Sequence, residues 1–182
     1  MHSKRSSLFF VAMLIGCSTA TIDPDCSNLG QRYGETLECC EAGAIIPLKD
    51  IADCPSSVGV NEENMKIWCF SQCNFEALGL LNGDEINEDK LFEYVNRLDG
   101  PWKEEAKDAV SDCLDKLAAI NIQMAESKNT LPCHHAAGVI SSCLIRKTID
   151  LCPYADWRHS LYCLKLRTDY CFKNRYLQQN HE

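Results

Sequence analysis

The cysteines between Cys69 and Cys152 decide the fold of this chain. In order they read Cys69-Phe-Ser-Gln-Cys73, then Cys113 after 39 residues, Cys133 after 19 more, and Cys143-x8-Cys152 followed at once by Pro153. Cys69 and Cys73, at positions i and i+4, would leave a helix from one face, so they can bond two different partner segments. Cys143 and Cys152 would lie too far apart on a helix to bond each other. The spacing therefore predicts several helices joined by disulfides.

The first twenty residues have the features of a secretory signal peptide. The basic pair Lys4-Arg5 precedes an apolar run over residues 8–16, and small residues allow cleavage after Ala20. The run is too short to span a membrane. Residues 14–17 also resemble a bacterial lipoprotein box, but many further cysteines are not expected in such a lipoprotein. We therefore predict a signal peptide over residues 1–20.

Composition limits the class of protein. The chain has 182 residues, 13 cysteines and a formal charge of -8. Loss of the leader would remove Cys17, Lys4 and Arg5, which leaves twelve cysteines and a charge of -10. An even cysteine count in a secreted chain predicts six disulfides in an extracellular compartment. A chain this acidic repels phosphate backbones, so we predict no nucleic-acid partner.

Residues 21–182 are long enough for a single domain. We predict an extended N-terminal arm with short helices over 21–60 and a C-terminal extension over 153–182. Residues 61–80 are apolar on nearly every side, which predicts a central buried helix. A second helix is predicted near residues 87–98. A third should begin at Pro101, because proline suits the first helical position.

Helical periodicity continues to the C-terminus. The helix after Pro101 should bury one face, formed by Trp102, Ala106, Val110, Cys113, Leu117 and Ile120. Another helix should begin near Cys133, and a last stripe should be formed by Tyr154, Trp157, Leu161 and Leu164. No alternating pattern indicates a strand. We predict an all-α, compact, disulfide-stapled bundle of five to seven helices.

The cysteine spacing resembles that of insect odorant-binding proteins of the PBP/GOBP family. Cys69-x3-Cys73, Cys113 and Cys143-x8-Cys152 are similar to the second to sixth cysteines of that family, with Cys39 or Cys40 as the first. The extra cysteines and Pro153 resemble the Plus-C subgroup. The resemblance implies pairing of the first cysteine with the third, the second with the fifth and the fourth with the sixth.

Carried onto this chain, that order implies three disulfides. They are Cys73 with Cys39 or Cys40, Cys69 with Cys143, and Cys113 with Cys152. The other cysteines, namely Cys26, Cys54, Cys133, Cys163, Cys171 and one of the Cys39-Cys40 pair, are left in unknown order. For Cys133 we expect Cys163 or Cys171 as the partner, and for the N-terminal extras a partner near the N-terminal arm.

The resemblance also implies an apolar cavity that binds ligand. Disulfides can hold helices apart without a filled centre, so such a cavity can persist. Ten apolar side chains are predicted to line it: Leu80, Leu81, Phe92, Val95, Leu98, Trp102, Val110, Leu114, Ile140 and Leu144. Each of them could equally be ordinary core.

Sites for chemistry are less well supported by the sequence. Cys133-His134-His135 could suggest zinc, but no second Cys/His cluster has ligand spacing, so we predict neither metal nor cofactor. Cys39-Cys40 is not followed by the histidine of a secreted phospholipase A2, and no Gly-x-Ser-x-Gly motif is present. We predict that the protein is not an enzyme.

The function predicted from the resemblance is that of a secreted carrier. It would reversibly bind small hydrophobic molecules such as odorants and transport them through sensillum lymph to a membrane odorant receptor, as a monomer or a homodimer. The alternative is a disulfide-rich helical protein that acts through protein–protein interaction and has no ligand cavity. Stabilisation by long-chain alcohols, aldehydes or esters would distinguish the two.

Overall fold

The chain is mostly helical. The computed structural model describes Cys26, residues 32–46, Cys54, residues 63–126 and residues 133–171. The predicted signal peptide lies outside these residues. Six helices are present in this part of the chain: α1 (Tyr33–Leu37), α2 (Glu63–Ala77), α3 (Glu88–Val95), α4 (Gly100–Glu126), α5 (His135–Leu151) and α6 (Leu161–Arg167). The predicted all-α, disulfide-stapled fold is confirmed.

Helix α5 is the centre of the structure. It contacts α2, α4, α1 and α6. Small residues such as Ala136, Ala137 and Gly138 are buried in its first turns, where they allow its neighbours to approach closely. The helix predicted over residues 61–80 is present as α2, Glu63–Ala77, but its predicted central and buried position is wrong, because α5 holds the centre and Glu76 and Ala77 are exposed.

Helices α3 and α4 agree with the sequence pattern. Asn87 caps α3, and its side chain accepts a hydrogen bond from the Lys90 amide at 3.1 Å. Gly100 connects the two helices with a φ of 62°, a left-handed conformation that glycine adopts without a steric penalty. On α4, the predicted face from Trp102 to Leu117 is buried. No helix in the described part of the chain is long and apolar enough to cross a membrane.

A short hairpin follows α2, where no strand was predicted. Strand β1 (Leu81–Asn82) pairs with β2 (Glu85–Ile86) in an antiparallel register. Gly83 has a φ of 63° in the turn between them. Each strand has only two residues, too few for an alternating pattern to be detected in the sequence.

The three disulfides implied by the resemblance are wrong as assigned. Cys69 bonds Cys133 instead of Cys143, Cys113 bonds Cys143 instead of Cys152, and Cys73 bonds Cys54 instead of Cys39 or Cys40. The expected pairing of Cys133 with Cys163 or Cys171 is also wrong, because Cys133 bonds Cys69. The mechanical expectations hold, since Cys69 and Cys73 bond different segments and Cys143 does not bond Cys152.

The pairing order that the resemblance implied is present, but on a different set of six cysteines; we call this order interleaved. In chain order, Cys54, Cys69, Cys73, Cys113, Cys133 and Cys143 pair first with third, second with fifth and fourth with sixth. The fifth and sixth positions belong to Cys133 and Cys143, and not to the pair with the x8 gap. We call the part that these bonds join the inner body: Cys54, residues 63–126 and residues 133–151.

The other three disulfides are nested and join the two ends of the chain. Cys40 bonds Cys152, Cys39 bonds Cys163 and Cys26 bonds Cys171. The expectation that the N-terminal extras bond near the N-terminal arm is therefore wrong for Cys26 and for whichever of Cys39 and Cys40 is counted as an extra. We call this part the outer clamp: Cys26, residues 32–46 and residues 152–171.

Backbone hydrogen bonds also hold the outer clamp. Cys40 and Trp157 form an isolated antiparallel bridge, the Glu41 amide donates to the Asp156 carbonyl at 2.6 Å, and the Arg158 amide donates to the Cys39 carbonyl at 2.8 Å. Adjacent cysteines 39 and 40 can therefore reach two different points of the C-terminal segment. This pairing explains why Cys152 is not free to bond Cys113.

The predicted C-terminal apolar stripe is wrong. Tyr154 lies in a 3-10 turn (Tyr154–Asp156), Trp157 is extended, and α6 begins only at Leu161. Trp157 is buried, whereas Tyr154 is 71% exposed and Leu161 68% exposed. The stripe requires one continuous helix, and the bridge to Cys40 interrupts it because it holds the chain extended at Trp157.

Candidate functional site: a groove on the inner body

A groove of about 640 Å³ lies on the inner body between α2, α4 and α5. Helix α5 forms its length, with Gly138, Val139, Ser142 and Cys143 in the first half and Arg146, Lys147, Asp150 and Leu151 in the second. Lys116 and Ile120 of α4 and Trp68 of α2 complete it. The α5 residues are adjacent pairs that repeat every four positions, so they occupy one face of the helix over about 20 Å.

The indole of Trp68 lies directly on the backbone of α5. A Cβ atom placed on Gly138 would meet Trp68 Cδ1 at 2.5 Å and Cγ at 2.8 Å. Only glycine permits this approach, because any larger residue would push the ring away. Trp68 is half-buried, so one part of its ring forms an apolar surface of the groove.

Two disulfides connect the three helices around the groove. Cys113–Cys143 joins α4 to α5 with a Cα–Cα distance of 5.8 Å. Cys69–Cys133 joins α2 to the residues just before α5, with a Cα–Cα distance of 5.1 Å. The Gln72 side chain also accepts a hydrogen bond from the His134 amide at 2.7 Å. The helices can therefore keep their separation without a filled space between them.

Charged residues occupy the second half of the groove. Arg146 donates to Asp150 at 2.7 Å and forms an ion pair with Asp169 at 2.5 Å. Burial lowers the pKa of Arg146, but hydrogen bonds to Asp150 and Asp169 outweigh that effect and raise its pKa overall. Arg146 is therefore a permanent cation whose charge is already matched by two carboxylates.

The two lysines of the groove, Lys116 and Lys147, have fewer carboxylate partners than Arg146. Lys147 donates to Asp112, and that hydrogen bond holds the pKa of Asp112 below its usual value. Lys116 lies one turn from Asp112 on α4, and it has no hydrogen bond or ion pair with a carboxylate in the described part of the chain. The groove thus has an apolar half and a half that contains cationic groups.

The ten residues predicted to line a cavity lie elsewhere. Six are buried in the core, namely Leu80, Val95, Trp102, Val110, Ile140 and Leu144. The other four, Leu81, Phe92, Leu98 and Leu114, are partly buried against it. None of them lines the groove. That they enclose a ligand stays a prediction.

The sequence did contain a signal for the groove. Gly138 inside an apolar helix is unfavourable by itself, and such a glycine usually permits a close contact. Its partner, Trp68, is far away in the sequence, so the contact could not be read from the spacing. Trp68 lies in the helix predicted to be buried over residues 61–80 and Ile120 on the predicted buried face of α4, whereas the structure leaves both of them, and Val139, only half-buried.

The Cys133-His134-His135 motif has structural roles. Cys133 is bonded to Cys69, and Nδ1 of His134 caps α5 by accepting from the Ala136 amide at 3.4 Å. The His135 Nε2 atom lies 2.6 Å from Oδ1 of Asn121. Burial, and then the charge of His134, lower the pKa of His135. Among the described residues, no group of three His, Cys, Asp or Glu side chains could hold a metal ion.

The amide of Asn74 is a buried polar group that the sequence analysis missed. Asn74 is 1% exposed, and neither side-chain atom has a hydrogen-bond partner among the residues that the structure describes. The neighbouring polar residue of α2, Ser71, is satisfied by a hydrogen bond to Ser141 at 3.2 Å. Asn74 therefore carries an unmatched desolvation cost in the core.

Comparison with known proteins gives the family. The chain matches the PBP/GOBP family over residues 35–147, which is more than half of its 182 residues. No curated protein and no solved structure shows a significant match. The matched range contains all six interleaved cysteines and ends before Cys152. Its membership of the Plus-C subgroup stays a prediction. The chain belongs to the PBP/GOBP family of insect odorant-binding proteins.

Proposed function

We propose that this protein is a secreted carrier that reversibly binds small hydrophobic molecules, such as odorants, and transports them through aqueous sensory lymph to membrane receptors. It acts by burying the ligand, without a chemical step. The observation that carries the proposal is the groove with an apolar floor in a chain of a family of binding proteins. Six disulfides support an extracellular location, because they persist in oxidising compartments.

The size of the groove supports this role. Its volume of about 640 Å³ is within the range of small-molecule sites. A ligand that removes about 400 Å² of apolar surface from water gains about 10 kcal/mol. Association costs of about 4 kcal/mol leave about 6 kcal/mol, which corresponds to a dissociation constant of tens of micromolar. Micromolar binding is reversible on a useful time scale, as a carrier requires.

The disulfides support the groove as the binding site. Cys113–Cys143 and Cys69–Cys133 hold α4 and α2 to α5 and its start before any ligand binds. A preformed site loses less conformational entropy on binding than one that must be ordered. The ten core residues remain the second proposed location, since a ligand could enter among them.

Displacement of an apolar fluorescent probe by dodecanol, dodecanal and dodecyl acetate tests the function. Ser142 is exposed and lines the groove, so Ser142→Trp should fill the groove at little cost in stability and lower probe affinity at least ten-fold. Ser111→Trp is the matched control, because Ser111 is exposed on a different face of α4. Its affinity should equal that of the parent protein.

The possible results separate the proposals. Failure of all three compounds to displace the probe would contradict the carrier function. Displacement that survives Ser142→Trp would place the ligand among the core residues instead of the groove. Equal losses in both tryptophan variants would point to a general effect on folding, which a thermal melt of each variant would measure.

The second candidate function is protein–protein interaction. The observation that favours it is exposed apolar surface on the outer clamp, at Tyr154, Leu161, Leu164 and Tyr170. A homodimer through this surface would show a mass that rises with concentration in sedimentation equilibrium, and Leu161→Asp should restore the monomer. A constant monomer mass up to high concentration would exclude that dimer.

A further inference from the structure

The groove is polarised along its length. Trp68, Ile120 and Val139 form its apolar half, and Arg146 and Lys147 follow two turns further along α5, about 12 Å away. A uniformly apolar ligand would leave the charged half uncovered. A ligand with one apolar end and one polar end would match both halves.

The charges decide which polar end fits. The two carboxylates nearest to Arg146, those of Asp150 and Asp169, are both bound to it. Lys147 uses one of its three N–H donors on Asp112. A cationic head group would therefore have to compete with formed ion pairs for its carboxylates.

An anionic head group would find donors that are still free. Lys147 has two N–H groups left after its bond to Asp112. The exposed Lys116, one turn from Asp112 on α4, lines the same groove. Lys116 is one helical turn from Asp112 and Lys147 is bonded to it, so both ammonium groups can be reached from the apolar floor. This concentration of cations occurs in a chain whose formal charge is -8.

We infer that the groove binds a single-chain amphiphile with an anionic head group, whose alkyl chain covers Trp68, Ile120 and Val139 and whose carboxylate lies between Lys116 and Lys147. This inference rests on the proposed carrier function and specifies its ligand class. Charge-assisted hydrogen bonds to a carboxylate are stronger than those to a neutral hydroxyl, so the head group should control selectivity.

Three probes of equal chain length test the inference: dodecanoate, dodecanol and dodecyltrimethylammonium. Trp68 reports binding through its fluorescence, because it is half-buried in the groove whereas Trp102 and Trp157 are buried in the core. At neutral pH and about 0.1 M salt, dodecanoate should bind about ten-fold more tightly than dodecanol, and the ammonium compound should bind most weakly. Trp68→Phe should remove the fluorescence change.

Lys116→Gln should weaken dodecanoate binding about five-fold and leave dodecanol binding unchanged. Lys103→Gln is the matched control, because it removes the same charge from α4 about 20 Å away along the helix, beyond the Debye length of about 10 Å at 0.1 M salt. Added salt should reduce the preference for dodecanoate in the parent protein.

The outcomes separate this inference from the function on which it rests. If dodecanol binds as tightly as dodecanoate, or Lys116→Gln weakens both equally, the anionic ligand class is wrong and the carrier function stands. If Lys103→Gln has the effect expected for Lys116→Gln, only the overall charge matters and the proposed head-group site is wrong. If none of the three probes binds, the inference and the carrier function both fail.

Discussion

The inner body and the outer clamp are joined by disulfides in two different ways. The inner bonds are interleaved and span 19, 64 and 30 residues, whereas the outer bonds are nested and span 112, 124 and 145 residues. The inner bonds join α4 to α5, and α2 both to Cys54 and to Cys133 just before α5, so they limit how far apart these helices lie. Nested bonds act in series at one place, where they hold the two ends together.

The difference affects how much each bond contributes to stability. Once Cys40–Cys152 has formed, Cys39–Cys163 closes only a short additional ring, because Cys39 and Cys40 are neighbours. The span of a nested bond in sequence therefore overstates the entropy that it removes from the unfolded chain. The comparison teaches that topology, and not sequence separation, should predict the effect of removing each bond.

The largest effect is expected for the inner bond beside the groove. Cys113→Ala with Cys143→Ala should lower the free energy of unfolding by about 3 to 4 kcal/mol, because the bond closes a loop of 30 residues. Ligand affinity should also fall at least ten-fold, since the separation of α4 and α5 is no longer fixed by a covalent bond. Urea unfolding and probe titration measure the two effects. Retained affinity would break the proposed link between the inner bonds and the groove.

The outermost bond should affect stability only. Cys26→Ala with Cys171→Ala should cost about 3 kcal/mol, the value for a ring of some 20 residues, instead of the nearly 5 kcal/mol that its sequence separation suggests. Ligand affinity should remain within about two-fold of the parent value, because the groove lies on the inner body. The same titration and urea unfolding provide the measurement. A loss of affinity here would show that the clamp also shapes the groove.

Two glycine substitutions sharpen the comparison. Gly138→Ala should cost about 2 kcal/mol and weaken binding, because the added Cβ would lie 2.5 Å from Trp68 Cδ1. Gly34→Ala, in α1 of the outer clamp, meets nothing within 4 Å and should stabilise the protein by about 0.5 kcal/mol. Thermal melts measure whether each substitution raises or lowers stability, and destabilisation by both would contradict the expected contrast.

Replacing a buried polar group should change the free energy of unfolding in opposite directions in the inner body and in the outer clamp. Asn74→Leu on the inner body should raise the free energy of unfolding by about 1 kcal/mol, because the amide has no partner among the described residues. Thr36→Val on the outer clamp should lower it by about 1 kcal/mol, because the Thr36 hydroxyl bonds the Arg32 carbonyl and lies 2.7 Å from the Tyr162 hydroxyl. Chemical denaturation decides both values, and a loss of stability in Asn74→Leu would indicate that the amide has a partner in solution.

The smallest effect concerns pH. The pKa of His135 is lowered from its ordinary value near 6.5 by burial and by the charge of His134. As the pH falls through about 6.5, the unfolded chain takes up this proton before the folded protein does, so the free energy of unfolding falls. His135→Gln should remove this part of the pH dependence. Urea unfolding between pH 5 and 8 measures this, and an unchanged pH dependence in His135→Gln would contradict the expectation.

The helices could be predicted closely from local signals. Asn87, Gly100 and Pro101 marked the boundary regions of α3 and α4, and the face from Trp102 to Leu117 marked the side that packs on α5. These features depend on neighbouring residues alone. The C-terminal stripe failed because the bridge between Cys40 and Trp157 holds the chain extended in the middle of the predicted helix.

The groove and the identity of each disulfide partner could not be predicted in the same way. Gly138 and Trp68 are separated by 70 positions, and neither has a local pattern that indicates the other. The x8 gap favoured Cys143 and Cys152 as the fifth and sixth cysteines of the interleaved order, but in the structure these are Cys133 and Cys143. The available signal for the clamp was the presence of three cysteines between residues 21 and 53 and three after Cys143.

The sequence by itself determined an all-α, disulfide-rich chain of the odorant-binding class, because helical periodicity and cysteine spacing are properties of short segments. Only the tertiary structure decided which thiols meet, which apolar residues stay half-exposed and where a ligand can bind. A disulfide forms between whichever cysteines the packed helices bring within about 6 Å. That distance depends on contacts between segments far apart in the chain, and spacing does not record them.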